Sequence, residues 1–287
     1  MPHIPVLLKE VVEWLNPQPG QSFIDATVSA GGHASAILEK TGPTGKLLGI
    51  EWDPEIFKEL KSREGMTVVN DSYVNIKKIA EEQGFNEVNG ILFDLGISSW
   101  HVDQSGRGFS FQKEELLDMR FNPQSGMSAL EVVNTWTEED LTKIIKEYGE
   151  EGYADRIARA IIEARGEGII KNSSQLAEII GKVVPRRGKI NPATKTFQAL
   201  RIVVNGELEN VATGIKEAIK ILKNNGRLAV ISFQGLEDKI VKSIFREAQK
   251  EGSIEILTKK VVRPSWDEIQ QNPRSRSAKM RVILKIS

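Results

Sequence analysis

Three carboxylates in the N-terminal third each close a short apolar run: Asp25 after Phe23-Ile24, Glu51 after Leu47-Leu48-Gly49-Ile50, and Asp94 after Ile91-Leu92-Phe93. Between the first two lies a small-residue turn, Thr27-Val28-Ser29-Ala30-Gly31-Gly32-His33, followed by helical composition from Ala34 to Glu39. An acid at a strand tip can accept hydrogen bonds from ribose hydroxyls, and glycines at the next helix start let the backbone approach a cofactor. A dinucleotide would ask for G-x-G-x-x-G, to bring that backbone against a pyrophosphate. Here Ser29 and Ala30 fill part of the turn, and only Gly31-Gly32 remain as an adjacent pair. S-adenosylmethionine has no phosphate and needs room only for its methionine end and its ribose. Taken alone, the turn also fits an ordinary α/β protein with nothing bound.

Two other groups could act on a ligand. The stretch from Leu95 to Phe111 is rich in glycine and serine yet carries Trp100, His101, Arg107, Phe109 and Phe111, which is not the composition of a loose loop. Irregular segments at the carboxyl ends of parallel strands are where such folds build sites. The second group is basic. Between Ile179 and Gly206 the ionisable residues are Lys182, Arg186, Arg187, Lys189, Lys195 and Arg201, with no acid among them. After Glu268 the same holds for Arg274, Arg276, Lys279, Arg281 and Lys285. Clusters of this kind neutralise phosphates and set register without reading bases, although a run of charge is often only a solvated face.

To position these groups the chain needs short strands alternating with helices, which implies an α/β fold with a parallel sheet wound on both faces. Predicted strands are Ser22–Ala26, Lys46–Ile50, Met66–Val69 and Val88–Asp94, with helices between them. From about Lys113 to Ile202 the apolar spacing is helical throughout, with Thr137 and Ser174 as caps, and no strand is expected before Arg227. The expectation is a discontinuous α/β domain, 1–112 and 203–287, holding an inserted helical domain, 113–202. Ile254 to Val262 and Met280 to Leu284 read as a closing antiparallel pair.

Bulk properties narrow the classes. The 287 residues suffice for a real core, and no apolar run approaches the ~20 residues a membrane helix needs. There is no cysteine, so disulfides and thiolate metal sites are excluded, and an intracellular protein is expected. His3, His33 and His101 lack metal-ligand spacing, and no metal is expected. Zero formal net charge argues against a generic nucleic-acid coat but leaves room for a local basic face.

Along nearly the whole chain the sequence resembles the bacterial ribosomal RNA small-subunit methyltransferase H family. The matching stretches include His3-Ile4-Pro5-Val6-Leu7-Leu8, Gly31-Gly32-His33, Asp94-Leu95-Gly96-Ile97-Ser98-Ser99 and Arg107-Gly108-Phe109-Ser110-Phe111. Leu117-Asp118-Met119-Arg120, Tyr148-Gly149-Glu150-Glu151, Arg156-Ile157-Ala158-Arg159, Pro192 through Arg201, and Asn272-Pro273-Arg274-Ser275-Arg276-Ser277 complete the set. The resemblance implies a Rossmann-like class I methyltransferase that uses S-adenosylmethionine to methylate the exocyclic N4 of a cytidine in the decoding region of 16S ribosomal RNA. It implies a cytoplasmic enzyme whose partner is that RNA within the small ribosomal subunit, and it leaves a homodimer open.

Carried over residue by residue, the resemblance assigns cofactor binding to Gly31, Gly32, His33, Glu51, Tyr73, Asp94 and His101. Asp94 or Asp118 is expected to accept a proton from the target amine. Arg107, Arg120, Arg186, Arg187, Lys189, Lys195, Arg201, Arg274 and Arg276 are expected to contact RNA. Five positions depart from the family pattern: His101 stands where Gln is frequent, Ser29 for Gly, Asn191 for His, and Gln234-Gly235 for His-Ser. The last substitution keeps a second reading open, a non-catalytic ribosome-binding or assembly factor on a methyltransferase fold. A nicotinamide-dependent oxidoreductase is disfavoured by the missing G-x-G-x-x-G.

Overall fold

A computed structural model describes residues 4–61, 63–186, 188 and 191–287. Seven strands form one sheet: β1 (Ser22–Asp25), β2 (Lys46–Glu51), β3 (Met66–Asn70), β4 (Val88–Asp94), β5 (Leu222–Ser232), β6 (Ile254–Ile256) and β7 (Lys279–Lys285). Their order is β3-β2-β1-β4-β5-β7-β6, with β1 to β5 parallel and β7 antiparallel to both of its neighbours. The α/β class and the mostly parallel, doubly wound sheet are as expected.

The side-chain period of two along each strand explains the double winding. Ile24, Leu48, Ile91, Phe93, Leu228 and Val230 enter one core cluster, while their neighbours Phe23, Leu47, Leu92, Ala229 and Ile231 enter another. Helices α1 (Leu8–Leu15) and α2 (Gly32–Thr41) supply Val11, Leu15, Ala34 and Ile37 to the second cluster. Short helix α3 (Pro54–Glu59) follows β2, capped by Asp53, and α4 (Ile76–Glu82) contributes Ile76 and Ile79 to the first cluster.

Beyond β4 come α5 (Ser99–Asp103), α6 (Ala129–Thr135), α7 (Glu138–Glu147), α8 (Ala154–Glu167), α9 (Ser173–Val183) and α10 (Thr194–Asn205); the apolar faces of α6 to α10 close around Leu141, Ile145, Ile157, Ile161, Leu176 and Leu200. The chain re-enters the sheet through α11 (Glu207–Ile221), then α12 (Gly235–Lys250) and α13 (Trp266–Gln271). Two compact units result, one of residues 1–96 and 208–287, the other of residues 97–207. The helical unit takes in more chain than 113–202, since Ile97, Phe109 and Phe111 pack with its core.

Three local expectations are corrected. β5 begins at Leu222 rather than Arg227, with the Asn224-Asn225-Gly226 turn absorbed as a register shift opposite β4 and Asn225 at φ 67°. Helix α9 is capped by Asn172, whose Oδ1 accepts the Gln175 N–H at 2.9 Å, while the Ser174 hydroxyl donates to Asn172. The long strand expected from Ile254 to Val262 stops at Ile256. There the Thr258 hydroxyl takes the Val282 N–H at 3.0 Å in place of a backbone carbonyl, and the ladder is interrupted until Val262 pairs with Met280 in a single antiparallel bridge.

Candidate functional site

Strand order reverses between β1 and β4, one half of the sheet running outward through β2 and β3 and the other through β5. Chain connections leave toward opposite faces of the sheet at such a point, and the crevice beyond the carboxyl ends of the strands is where α/β folds bind ligands. Asp25 ends β1, Glu51 ends β2 and Asp94 ends β4, so the sheet gathers at this crevice three acids far apart in sequence.

The turn between β1 and α2 is stitched down on both sides. Ala26 N–H donates to the Leu92 carbonyl of β4 at 2.9 Å, and Val28 N–H to the Ile50 carbonyl of β2 at 3.0 Å. The Thr27 hydroxyl accepts the Asp94 N–H at 2.7 Å. Asp25 accepts the N–H groups of Thr27 and Ala34 and thereby caps the first turn of α2. Ser29, where the family has Gly, sits at φ 44°, a left-handed conformation that glycine adopts without cost.

The two adjacent glycines do different work. A Cβ on Gly31, at φ 75°, would meet nothing within 4 Å, so the space above it is open to a ligand. A Cβ on Gly32 would lie 2.3 Å from Cγ of Pro5. Gly32 is therefore required by the protein's own N-terminal segment, and only Gly31 has the open approach expected of both.

Electrostatics at the crevice are those of carboxylates short of positive partners. Burial raises Glu51 to about 7, against the lowering effect of the Asp53 and Ser29 N–H groups that it accepts at 2.8 and 3.1 Å. Asp25 is raised to about 6 by burial, offset in part by His33. Asp94 is pushed to about 7 by burial and by the negative charge of Glu237. The Asp94 side chain keeps 19% of its surface, yet its Oδ1 is shut off from solvent and has no hydrogen-bond partner among the described residues. A buried acceptor left unpaired costs about 1–3 kcal/mol, and this oxygen can take a donor that the described residues do not supply. His33 is buried, which lowers its pKa; its Nε2 donates to the Val6 carbonyl at 2.9 Å and its Nδ1 lies 3.6 Å from Asp94 Oδ2.

Of the residues assigned to the cofactor, Gly31, Gly32, His33, Glu51, Tyr73 and Asp94 belong to the α/β unit. The Tyr73 ring stands edge-on to Phe93, centroids 5.4 Å apart, and is anchored in the core. His101 belongs to the helical unit, where its Nδ1 meets the Ser98 hydroxyl at 2.8 Å and its ring packs against Trp100, Phe109 and Phe121. Asp118 is also in the helical unit, with both oxygens held by the Arg120 guanidinium at 2.8 Å. Burial alone would raise Asp118, but the Arg120 hydrogen bonds and the charges of Arg120 and Arg107 outweigh it and hold the carboxyl below its ordinary value.

The expected RNA contacts divide. Arg107 is buried, donating to the Arg120 and Phe121 carbonyls and lying over the Trp100 ring, so it braces a loop and does not reach out to phosphate. Arg120 is taken by Asp118 and Arg201 by a two-pronged pair with Glu207 at 2.7 and 2.8 Å. Lys195 donates to the Glu150 carbonyl and lies near Glu151. The acid-free runs of sequence are thus partly neutralised by acids from elsewhere in the chain, including Asp238, which pairs with Lys279 and Arg281. Arg186, Arg274 and Arg276 are exposed. Arg187 and Lys189, like His3, lie outside the described residues.

Sequence reasoning placed Asp25 at a strand end without giving it a role, and it missed Glu237 and Glu268. Glu237 is buried and accepts the N–H groups of Phe233 and Gln234 and the Gln234 amide at the start of α12. That leaves Gln234 Oε1 buried and unpartnered. Glu237 at the third helical position, accepting the N-cap N–H, is the acidic half of a capping box, and an acid three residues into a helix start could have located it.

Residues 1–286 match the MraW methylase family. The chain is 44% identical over 99% of its length, and 87% of the relative's, to the ribosomal RNA small subunit methyltransferase H of Dehalococcoides mccartyi. To the protein of the same name from Persephonella marina it is 45% identical over 99% of both chains. Among solved structures, an rRNA methylase from Streptococcus thermophilus aligns over 98% of this chain and 94% of its own at 9% identity and a TM-score of 0.44, a likeness too slight to bear on function.

Proposed function

The chain belongs to the MraW methylase family, and we infer that it transfers a methyl group from S-adenosylmethionine to 16S ribosomal RNA, at the exocyclic N4 of a cytidine in the decoding region. A single observation carries the site: the buried, unpartnered Asp94 Oδ1 at the switch point, beside an open Gly31 and the acid Glu51. These residues fit the proposed cofactor. Gly31 leaves room for its methionine end, Glu51 accepts from its ribose hydroxyls, and Tyr73 offers a ring edge for adenine.

When bound, S-adenosylmethionine supplies a methyl already electrophilic on a sulfonium, so the protein's tasks are alignment and exclusion of water. A cytosine amine is a weak nucleophile because its lone pair is delocalised into the ring. An acceptor for the amine hydrogen localises that pair as the new bond forms, and a group titrating near 7 is well matched to the task. Asp94 has that property and an unpaired oxygen; Asp118 has neither, and we assign the role to Asp94. To reach the site the base leaves its stack. Of the expected RNA contacts, Arg186, Arg274 and Arg276 are exposed and are assigned to flanking phosphates, with Arg187 and Lys189 assigned on sequence alone. No helix among the described residues is long and apolar enough to cross a membrane, and a protein acting on ribosomal RNA works in the cytoplasm with the small subunit.

The test is incubation with methyl-labelled cofactor and small subunits from cells lacking the modification, followed by mass spectrometry of nucleosides. N4-methylcytidine above a no-enzyme control is expected. Cofactor binding without transfer would favour the non-catalytic assembly factor, a reading supported by Gln234 standing where the family has His.

A further inference from the structure

The segment from Ile4 to Leu7 lies over the glycine turn and is tied down by the C-terminal part of the chain. Glu268 of α13 accepts the Leu7 N–H through Oε1 at 2.8 Å, and Asn272, which follows α13, donates to the Ile4 carbonyl at 3.1 Å. Leu7 is buried at φ 55°, a strained conformation for a branched side chain, which persists because its surroundings hold it. Between these ties Pro5 packs on Gly32, and the Val6 carbonyl meets His33 Nε2. A carbonyl can only accept, so the Val6 contact places a proton on Nε2. In neutral imidazole that leaves the Nδ1 lone pair facing Asp94 Oδ2, 3.6 Å away. At 3.6 Å the two are not hydrogen-bonded, but a proton on either one would give the other a favourable partner.

We propose that Glu268 is a positioning residue for the transfer site: through the Leu7 N–H and the Val6 carbonyl it fixes the His33 ring so that Nδ1 and Asp94 share a single proton. The proposal rests on the methyltransferase reading and extends it to a residue 174 positions beyond Asp94 in the chain (268 less 94). When a donor N–H arrives at Asp94 Oδ1, the shared proton passes from Oδ2 to Nδ1. Asp94 becomes the carboxylate and His33 the imidazolium, one N–H directed at each of its two partners, with no proton lost or gained. The charged groups facing the pair are Asp25 toward both members, Glu237 toward Asp94, and Glu268 toward His33; Glu10 in turn faces Glu268.

Two variants of the full chain separate the roles of Glu268. Glu268→Gln keeps an oxygen for the Leu7 N–H and removes the charge; Glu268→Ala removes both. The three histidines can be followed in nitrogen-15 spectra, which report each ring's tautomer and titration. In Glu268→Ala, His33 is expected to lose its Nε2-protonated preference, and S-adenosylhomocysteine to bind about tenfold more weakly. In Glu268→Gln the tautomer and affinity stay within about twofold of wild type, and His33 titrates at lower pH because a nearby negative charge is gone. A His33 tautomer and titration unchanged in both variants overturn the proposal, whatever happens to thermal stability. If Glu268→Ala does not fold, the Glu268→Gln titration decides by itself. Failure of the wild-type protein to bind S-adenosylhomocysteine would sink the methyltransferase reading instead.

Discussion

Asp94 and Asp118 are both aspartates in short polar-apolar motifs, yet the two compact units treat them in opposite ways. In the helical unit Asp118 is saturated: Arg120 closes on both oxygens, and the pair organises a loop whose Met119 sits at φ 61°. In the α/β unit Asp94 is left short, with one oxygen buried and unpaired, a partly committed His33 opposite the other, and Glu237 as a like-charged neighbour. Charge in the helical unit is arranged for stability; at the switch point it is held in a costly state that a bound donor relieves. An ionised carboxylate is thus not by itself a sign of function, and an unsatisfied one is the more telling observation.

The largest expected effect separates these two residues directly. Asp94→Asn should lower turnover at saturating cofactor by about a hundredfold or more, the usual scale for losing a proton acceptor. Asp118→Asn, measured on the folded fraction, should cost less than about tenfold; the reverse ranking would overturn the assignment of Asp94. In denaturant titrations the order inverts. Asp118→Asn leaves the Arg120 guanidinium without its paired acceptor and should destabilise by about 1–3 kcal/mol. Asp94→Asn removes a strained charge and should raise the thermal midpoint of the cofactor-free protein by about 2–4 °C.

A pH effect comes next. In the unfolded chain these carboxyls ionise near pH 4, whereas in the fold Asp25 does so at about 6 and Glu51 and Asp94 at about 7. Between those limits the native state holds protons that the unfolded state has lost, so cofactor-free stability should fall as pH rises from about 5 to about 7.5. Asp118 and Asp238, both held below their ordinary values, pull the other way only at lower pH. A cationic ligand favours the ionised forms of Asp25 and Glu51, so calorimetry near pH 7 in buffers of different ionisation enthalpy should register net proton release on binding. Buffer-independent heats would show that the crevice acids are already charged. The smallest effect is at the surface: Arg186→Glu should weaken RNA binding and lower the slope of log affinity against log salt by about one, leaving cofactor affinity unchanged.

Much of the α/β unit was legible from local pattern. Strand periodicity, the strand-end acids and the Gly31-Gly32 turn each act over a few residues, so they survive in a one-dimensional reading. Cap position was less legible, since Asn172 and Ser174 differ by two residues and only the formed first turn selects between them. The acid-free runs were misleading for a different reason. Arg201 finds Glu207, Lys195 finds Glu151, and Arg281 finds Asp238, and no count along a window can see partners that lie outside it.

By itself the sequence determined the class of fold, the strand-end acids Asp25, Glu51 and Asp94, the glycine turn and the family, because these depend on residue type and short-range spacing. Tertiary structure alone decided which carboxylate is open and which is paired, that Gly32 answers to Pro5 while Gly31 stays clear, and that Glu268 holds the segment against His33. Those outcomes depend on burial and on contacts between residues up to 268 positions apart, which spacing along the chain does not encode.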